Sequence, residues 1–202
     1  MTSLPFRHNA TPVGKLLAMG VVLLYLLLVC NVGQARLEAQ EQESETTAAS
    51  REYQIKAAYL YQFGRYIQWP DSAFTNAESP FVIGILENDP IALDLDQIVQ
   101  AKKIGDRAID IKKFSPSSNF EGCQTLFFSS AVSPEVQVEI IRRLSGRNIL
   151  LVGETDEFIK SGGVIKFVIE DYKIRLLIDR KAAERQGLRV SSKLLQIAHI
   201  VD

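Results

Sequence analysis

Residues 52–70 read EYQIKAAYLYQFGRYIQWP, and the reading of this stretch decides the rest. Ser50 is suited to cap a helix, and Glu52 then falls in the first turn, where a negative charge complements the helix dipole. Ile55, Tyr59, Phe63 and Ile67 recur every four residues, with Leu60 and Tyr66 widening the apolar stripe. Glu52 and Lys56 form an i,i+4 pair in the favoured order. Pro70 drives Trp69 out of the α region, so the helix should stop near Gln68. Two readings stand side by side. In one, this is a core helix with Ile55, Tyr59, Phe63 and Ile67 turned to a sheet. In the other, some of Tyr61, Tyr66 and Trp69 stay at the surface and grip a partner.

Upstream, Arg7, His8 and Lys15 precede an uncharged run from Leu16 to Val29. A basic start and an apolar run too short to span a bilayer comfortably read as a secretory signal peptide over residues 1–35. Gly33 and Ala35 supply the small residues for a cut after Ala35; an uncleaved anchor and a lipoprotein cut before Cys30 are the alternatives, the latter disfavoured by Val29. The chain carries 23 Lys+Arg against 24 Asp+Glu, a net charge of −1. The cut removes Arg7 and Lys15 and no acid, leaving 21 against 24, a net −3. No basic surplus remains for phosphates, which argues against nucleic acid as a partner. Residues 36–50 are polar and glutamate-rich and read as a solvated tether or a frayed helical lead-in. Residues 51–202 have the size of one ordinary domain.

Downstream, FVIGIL (81–86) is a short apolar run bounded by Pro80 and by ENDP (87–90), as suits a strand buried on both faces. Asp89 and Pro90 start a helix that runs to about Ala101. AIDIKK (108–113) and QTLFFS (124–129) are the next strands. Ser133, Pro134 and Glu135 open a helix that Gly146 closes. NILLV (148–152) is a fourth strand, Thr155 caps a short helix to Lys160, and Val164–Ile169 with Ile174–Ile178 form an antiparallel hairpin. Arg180 to Gln186 is a short helix. Ser191 or Ser192 caps a last helix with Val190, Leu194 and Ala198 on one face and Ile197 and Val201 beside it. Strands alternating with helices predict an α/β layered fold, with a mixed, mostly parallel sheet flanked by helices.

KAAYLYQFGRYIQWP resembles the N-terminal signature of the YfiR family, and GCQTLFFS, GGVIKFVIEDYKIRLLID and GLRVSSKLL resemble its later segments. The likeness covers roughly residues 52–198. It implies a small periplasmic regulator that binds an inner-membrane signalling protein, a diguanylate cyclase or a sensor kinase, and holds it off. Cys123 resembles a family cysteine that pairs with one in the first strand; the matching position here is Gly84, so that partner is absent.

After the predicted cut, one histidine (His199) and one cysteine (Cys123) remain. A Cys/His zinc site cannot be assembled within one subunit from that set, and a Ser-His-Asp triad would have to recruit a helix-end His199. No phosphate-cradling glycine loop occurs. Ser191-Ser192-Lys193 reads as a helix cap rather than a nucleophile. These residues predict no enzyme, no metal and no cofactor. Cys123 is expected as a semi-buried free thiol, without an intramolecular disulfide. A periplasmic small-ligand-binding protein is the alternative, with Arg175 and Arg189 as anchors for a carboxylate near the carboxyl ends of the strands. A homodimer is left open, and the protein is not expected to span the membrane once the signal is removed.

Overall fold

The structure, a computed structural model, describes residues 47–171 and 173–201. The expected signal peptide, its cut after Ala35 and most of the expected tether lie outside them. Ser50–Asp202 forms one compact unit, described here.

Helix α1 covers 47–66, so Ser50 lies within it and is not its cap. Its buried residues are Lys56, Ala57, Leu60, Phe63 and Gly64, followed by Ile67 just past its end. The expected stripe is therefore corrected at one end. Ile55 is 39% exposed and Tyr59 only half-buried. Four residues of α-helix turn about 400°, so a strict i+4 row drifts around the helix by about 40° per step and leaves a sheet it starts on. Residues 57, 60, 64 and 67 alternate steps of three and four and stay on the sheet.

The strands are β1 (Ile67–Gln68), β2 (Phe81–Leu86), β3 (Lys103–Ile104), β4 (Arg107–Phe114), β5 (Cys123–Phe127), β6 (Leu150–Gly153), β7 (Ile165–Glu170), β8 (Lys173–Asp179), β9 (Arg189–Val190) and β10 (Ala198–Val201). Among the described residues, eight of them form one sheet in the order β10-β8-β7-β6-β5-β2-β4-β3. Its centre is parallel, and the β7–β8 hairpin and the β3–β4 pair are antiparallel. This is the mixed, mostly parallel sheet that the sequence predicts.

The connecting helices are α2 (Ile91–Val99), α3 (Pro134–Arg143), α4 (Asp156–Lys160), α5 (Arg180–Arg185) and α6 (Ser192–Leu195). Their starts are chemically marked. The Asp89 carboxylate accepts from Ile91 N at 2.9 Å, Thr155 Oγ1 from Phe158 N at 3.1 Å, and Asp179 from Ala182 N at 2.7 Å. Ser133 and Ser191 make the same contact at 3.4 Å. The crossovers β2–α2–β4 and β5–α3–β6 move in opposite directions from the β2–β5 pair, so right-handedness puts α2 and α3 on opposite faces.

Phe63 of α1 stacks on Phe167 of β7 with ring centres 6.0 Å apart, and Phe127 of β5 meets the same ring at 6.2 Å. On the opposite side of β5, Phe128 packs on Phe158 of α4 at 5.3 Å. Phe158 leaves no room for side chains at Gly153 and Gly163, where an added Cβ would come within 2.5 and 2.1 Å of its ring.

The last segment corrects the expectation. Helix α6 stops at Leu195, and Ala198–Val201 is a strand, parallel to β8, so His199 lies on an edge strand and not at a helix end.

Candidate partner interface at the exit of the first helix

Where α1 ends, the chain makes a local clamp. Ile67 and Gln68 pair antiparallel with Val190 and Arg189, and Ser191 N donates to the Tyr66 carbonyl at 2.9 Å. This two-residue ladder replaces the last helical turn expected before Trp69. Leaving the helix before Trp69 avoids the clash that Pro70 would otherwise impose on it.

Trp69 is half-buried. Its ring stands edge-on to Phe81 at 4.9 Å, and its Nε1 donates to the Gln124 carbonyl at 3.2 Å. Gln124 sits in a β-bulge: Val82 pairs with Cys123, but Ile83 pairs with Thr125. Such an extra residue has no ladder partner of its own and is free to re-aim its side chain. Here the buried Gln124 amide accepts from Val82 N and donates to the Ala73 carbonyl, both at 2.7 Å. One residue thus ties β2, β5, Trp69 and the 3-10 turn Asp71–Ala73 together. Nearby, the Arg107 guanidinium lies 3.8 Å over the Phe74 ring and donates to the carbonyls of Asn76 and Ser79, which fixes the following loop.

The result is a rim that brings Tyr66, Gln68, Trp69 and Arg189 together, with Gln68 and Arg189 exposed. Tyr61 is separate. It stands five residues before Tyr66, about 140° around the helix, with the Lys102 ammonium 4.9 Å above its ring.

The other end of α1 reaches the opposite edge of the sheet. Lys56 is only 6% exposed, and its ammonium donates to both Glu52 and Glu154. Glu154 follows β6, and its second carboxylate oxygen accepts from Ser130 N, beyond β5, at 2.6 Å. Burial alone would lower the Lys56 pKa, but its hydrogen bonds to the two carboxylates outweigh it and hold the pKa above the ordinary value. Burial, helped by Asp89 and Glu154, pushes the Tyr53 phenol up. Open α/β sheets commonly bind ligands at the carboxyl ends of their strands. In this chain Lys56 occupies the carboxyl ends of β5 and β6.

Arg175 and Arg189 are not brought together. Arg175 is exposed on β8, opposite Val168 and near the hairpin turn at the carboxyl edge, whereas Arg189 lies on β9 beside the exit of α1 at the amino edge. His199 is exposed, with Nε2 3.6 Å from Glu170. Cys123 is a buried free thiol whose Sγ donates to the Thr125 carbonyl at 3.0 Å. Burial pushes its pKa up to about 12. A Cβ placed on Gly84 would come within 2.8 Å of that sulfur, so residue 84 is the position facing Cys123.

Among the described residues, no group of His, Cys, Asp and Glu is arranged to hold a metal ion, and no helix is long and apolar enough to cross a membrane. Sequence reasoning passed over Gln124 and Glu154. The available signal for Gln124 was a lone amide inside the apolar run QTLFFS. Glu154, 98 residues from Lys56, carried none.

No curated protein matches the chain. Among solved structures, a conserved domain protein from Vibrio cholerae O1 biovar El Tor is similar at 12% identity and a TM-score of 0.46, over 60% of this chain and 54% of that one. The chain thus spans about half of that protein's length. The YfiR/HmsC-like family matches residues 53–199, well over half of the chain. With its α/β sheet and its aromatic helix exit, this protein belongs to the YfiR/HmsC-like family.

Proposed function

We propose that the chain is a non-enzymatic periplasmic regulator that binds the periplasmic part of an inner-membrane signalling protein, of the diguanylate cyclase kind, and holds it inactive. The YfiR/HmsC-like family is one of periplasmic, non-catalytic regulators. The observation that carries the reading is the rim of Tyr66, Gln68, Trp69 and Arg189, made stiff by the β1–β9 ladder and by Gln124. A stiff surface with aromatic and arginine groups loses little entropy on binding, and those residue types dominate the central contacts of protein interfaces.

The test is a photo-crosslinking residue placed in cells at Gln68, Arg189 or Arg175. Positions 68 and 189 should capture one and the same membrane protein, identified by mass, and position 175 should not. Equal capture from position 175, or capture of soluble proteins alone, would remove the rim as the binding surface.

A further inference from the structure

The C-terminal turns of α3, α4 and α5 line an open cavity of about 440 Å³. Arg142, Lys160 and Arg185 stand around it, with no carboxylate among its lining residues. Ser145 and Ser161 add hydroxyls, and Val138, Ile141 and Ala182 form an apolar wall.

The bland account of the three cations is that each sits at a helix C-terminus, where it offsets the dipole. That account falls short by charge. Three helix ends supply at most about −1.5 charges in all, against three full positive ones. Arg142 enters no ion pair among the described residues, and Arg185 reaches Asp179 only at 3.6 Å. Arg143, beside Arg142, is engaged elsewhere, donating to the Pro116 carbonyl and lying over Phe120. Lys160 also acts on the Asp156 carboxylate, so part of the charge is offset, but the cavity lining itself holds cations without a carboxylate. Further along α3 the surface changes sign, where Glu135, Glu139 and Glu157 line a neighbouring groove that Arg142 also borders. An anion drawn to Arg142 is kept to one end.

Gln186 supplies an independent observation. It lines the same cavity, is only 3% exposed, and its Oε1 is buried without a hydrogen-bond partner. A buried acceptor left unpaired is unfavourable, and a turn of the amide toward a ligand donor in the cavity relieves it.

We propose that this cavity binds a small organic anion, a carboxylate or phosphate ester that also carries hydroxyl donors. The oxyanion lies among Arg142, Lys160 and Arg185, and a hydroxyl serves Gln186. The volume falls in the range of small-molecule sites. The site is distinct from Arg175 and from the carboxyl-edge position that Lys56 fills, and the proposal stands whether or not the rim binds a partner.

Titration calorimetry of the purified protein with citrate, glucose 6-phosphate, inorganic phosphate and glucose tests it. Citrate or glucose 6-phosphate should bind saturably, one per chain, and glucose should not. The double variant Arg142→Gln, Lys160→Gln changes two exposed side chains and should keep its melting temperature while binding at least tenfold more weakly. Gln186→Leu should weaken glucose 6-phosphate more than inorganic phosphate. The proposal is overturned if neither organic anion binds, if the double variant binds like the parent, or if inorganic phosphate binds as tightly as the organic anions.

Discussion

The indole of Trp69 donates to the backbone carbonyl of Gln124, 55 residues further along the chain, while the Gln124 side chain satisfies Val82 N and the Ala73 carbonyl. The aromatic rim is therefore held by a buried amide more than by the tryptophan itself. Gln124→Leu strands two backbone groups and should cost about 3 kcal/mol in urea unfolding, whereas Trp69→Phe keeps a ring on Phe81, loses one hydrogen bond, and should cost about 1 kcal/mol. The reverse order of cost would show that the ring, not the bulge, holds the rim.

Lys56 and Glu154 should behave as a coupled buried pair. Lys56→Ala leaves Glu154 largely buried beside Ser130 N without its cation and should cost about 3–5 kcal/mol. Lys56→Met combined with Glu154→Gln should recover most of that loss, because the only carboxylate then left without its cation is Glu52, which reaches solvent. A double-mutant cycle by chemical denaturation measures the coupling, and purely additive single losses would count against the pair.

Burial of Cys123 sets an alkaline limit. Its thiol has a folded pKa of about 12 against an ordinary 9.0. Above pH 9 the unfolded chain ionises this thiol and the folded chain does not. The contribution to stability is thus intact below pH 9 and declines from there towards pH 12, at up to about 1.4 kcal/mol per pH unit. Cys123→Ala should unfold with a shallower alkaline slope than the parent, with Tyr53 and Lys56 common to both. Iodoacetamide at pH 8 should leave Cys123 unmodified in folded protein and label it once urea is added.

Gly84 is the counterpart of that thiol. Gly84→Ala puts a methyl against both Sγ of Cys123 and the Phe114 ring at 2.8 Å, and overpacking of this kind costs about 1–3 kcal/mol. Gly84→Cys under oxidising conditions should instead join residues 84 and 123, since the built Cβ already lies at roughly the separation a disulfide needs. Peptide mapping without reduction reads the result, and separate peptides would refute the facing geometry.

Much of this fold was legible because several local signals agreed. FVIGIL suits a buried strand, Ser133-Pro134 a helix start, and the spacing of the two strands around Glu170 and Asp171 a hairpin. The last strand was not legible. Ala198–Val201 is four residues long, and its apolar positions continue the period of Val190 and Leu194; only the open edge of β8 makes it a strand. The site divided in the same way. Tyr66 and Trp69 could be singled out by type and by Pro70, but their neighbour Arg189 and their support Gln124 come from distant pairings of one or two residues, which leave no period in the sequence. Tyr61 and Tyr66 looked alike in the sequence, and only the turn of the helix separates them.

The anchoring of α1 at both ends bears on the order in which the chain folds. Lys56 waits for Glu154, Trp69 for Gln124, and Ile67 and Gln68 for Arg189 and Val190. The element that opens the compact unit is thus secured by residues from its middle and its end. Contacts of such long sequence separation slow folding, since the intervening chain must close before they form. In a chain emerging from its N-terminus, Phe63 waits for Phe167 and Ile67 for Val190. The last of these locks forms only once β9 has been made, and a chain cut before Arg189 keeps Glu154 and Gln124 but loses the ladder that holds the exit of its first helix.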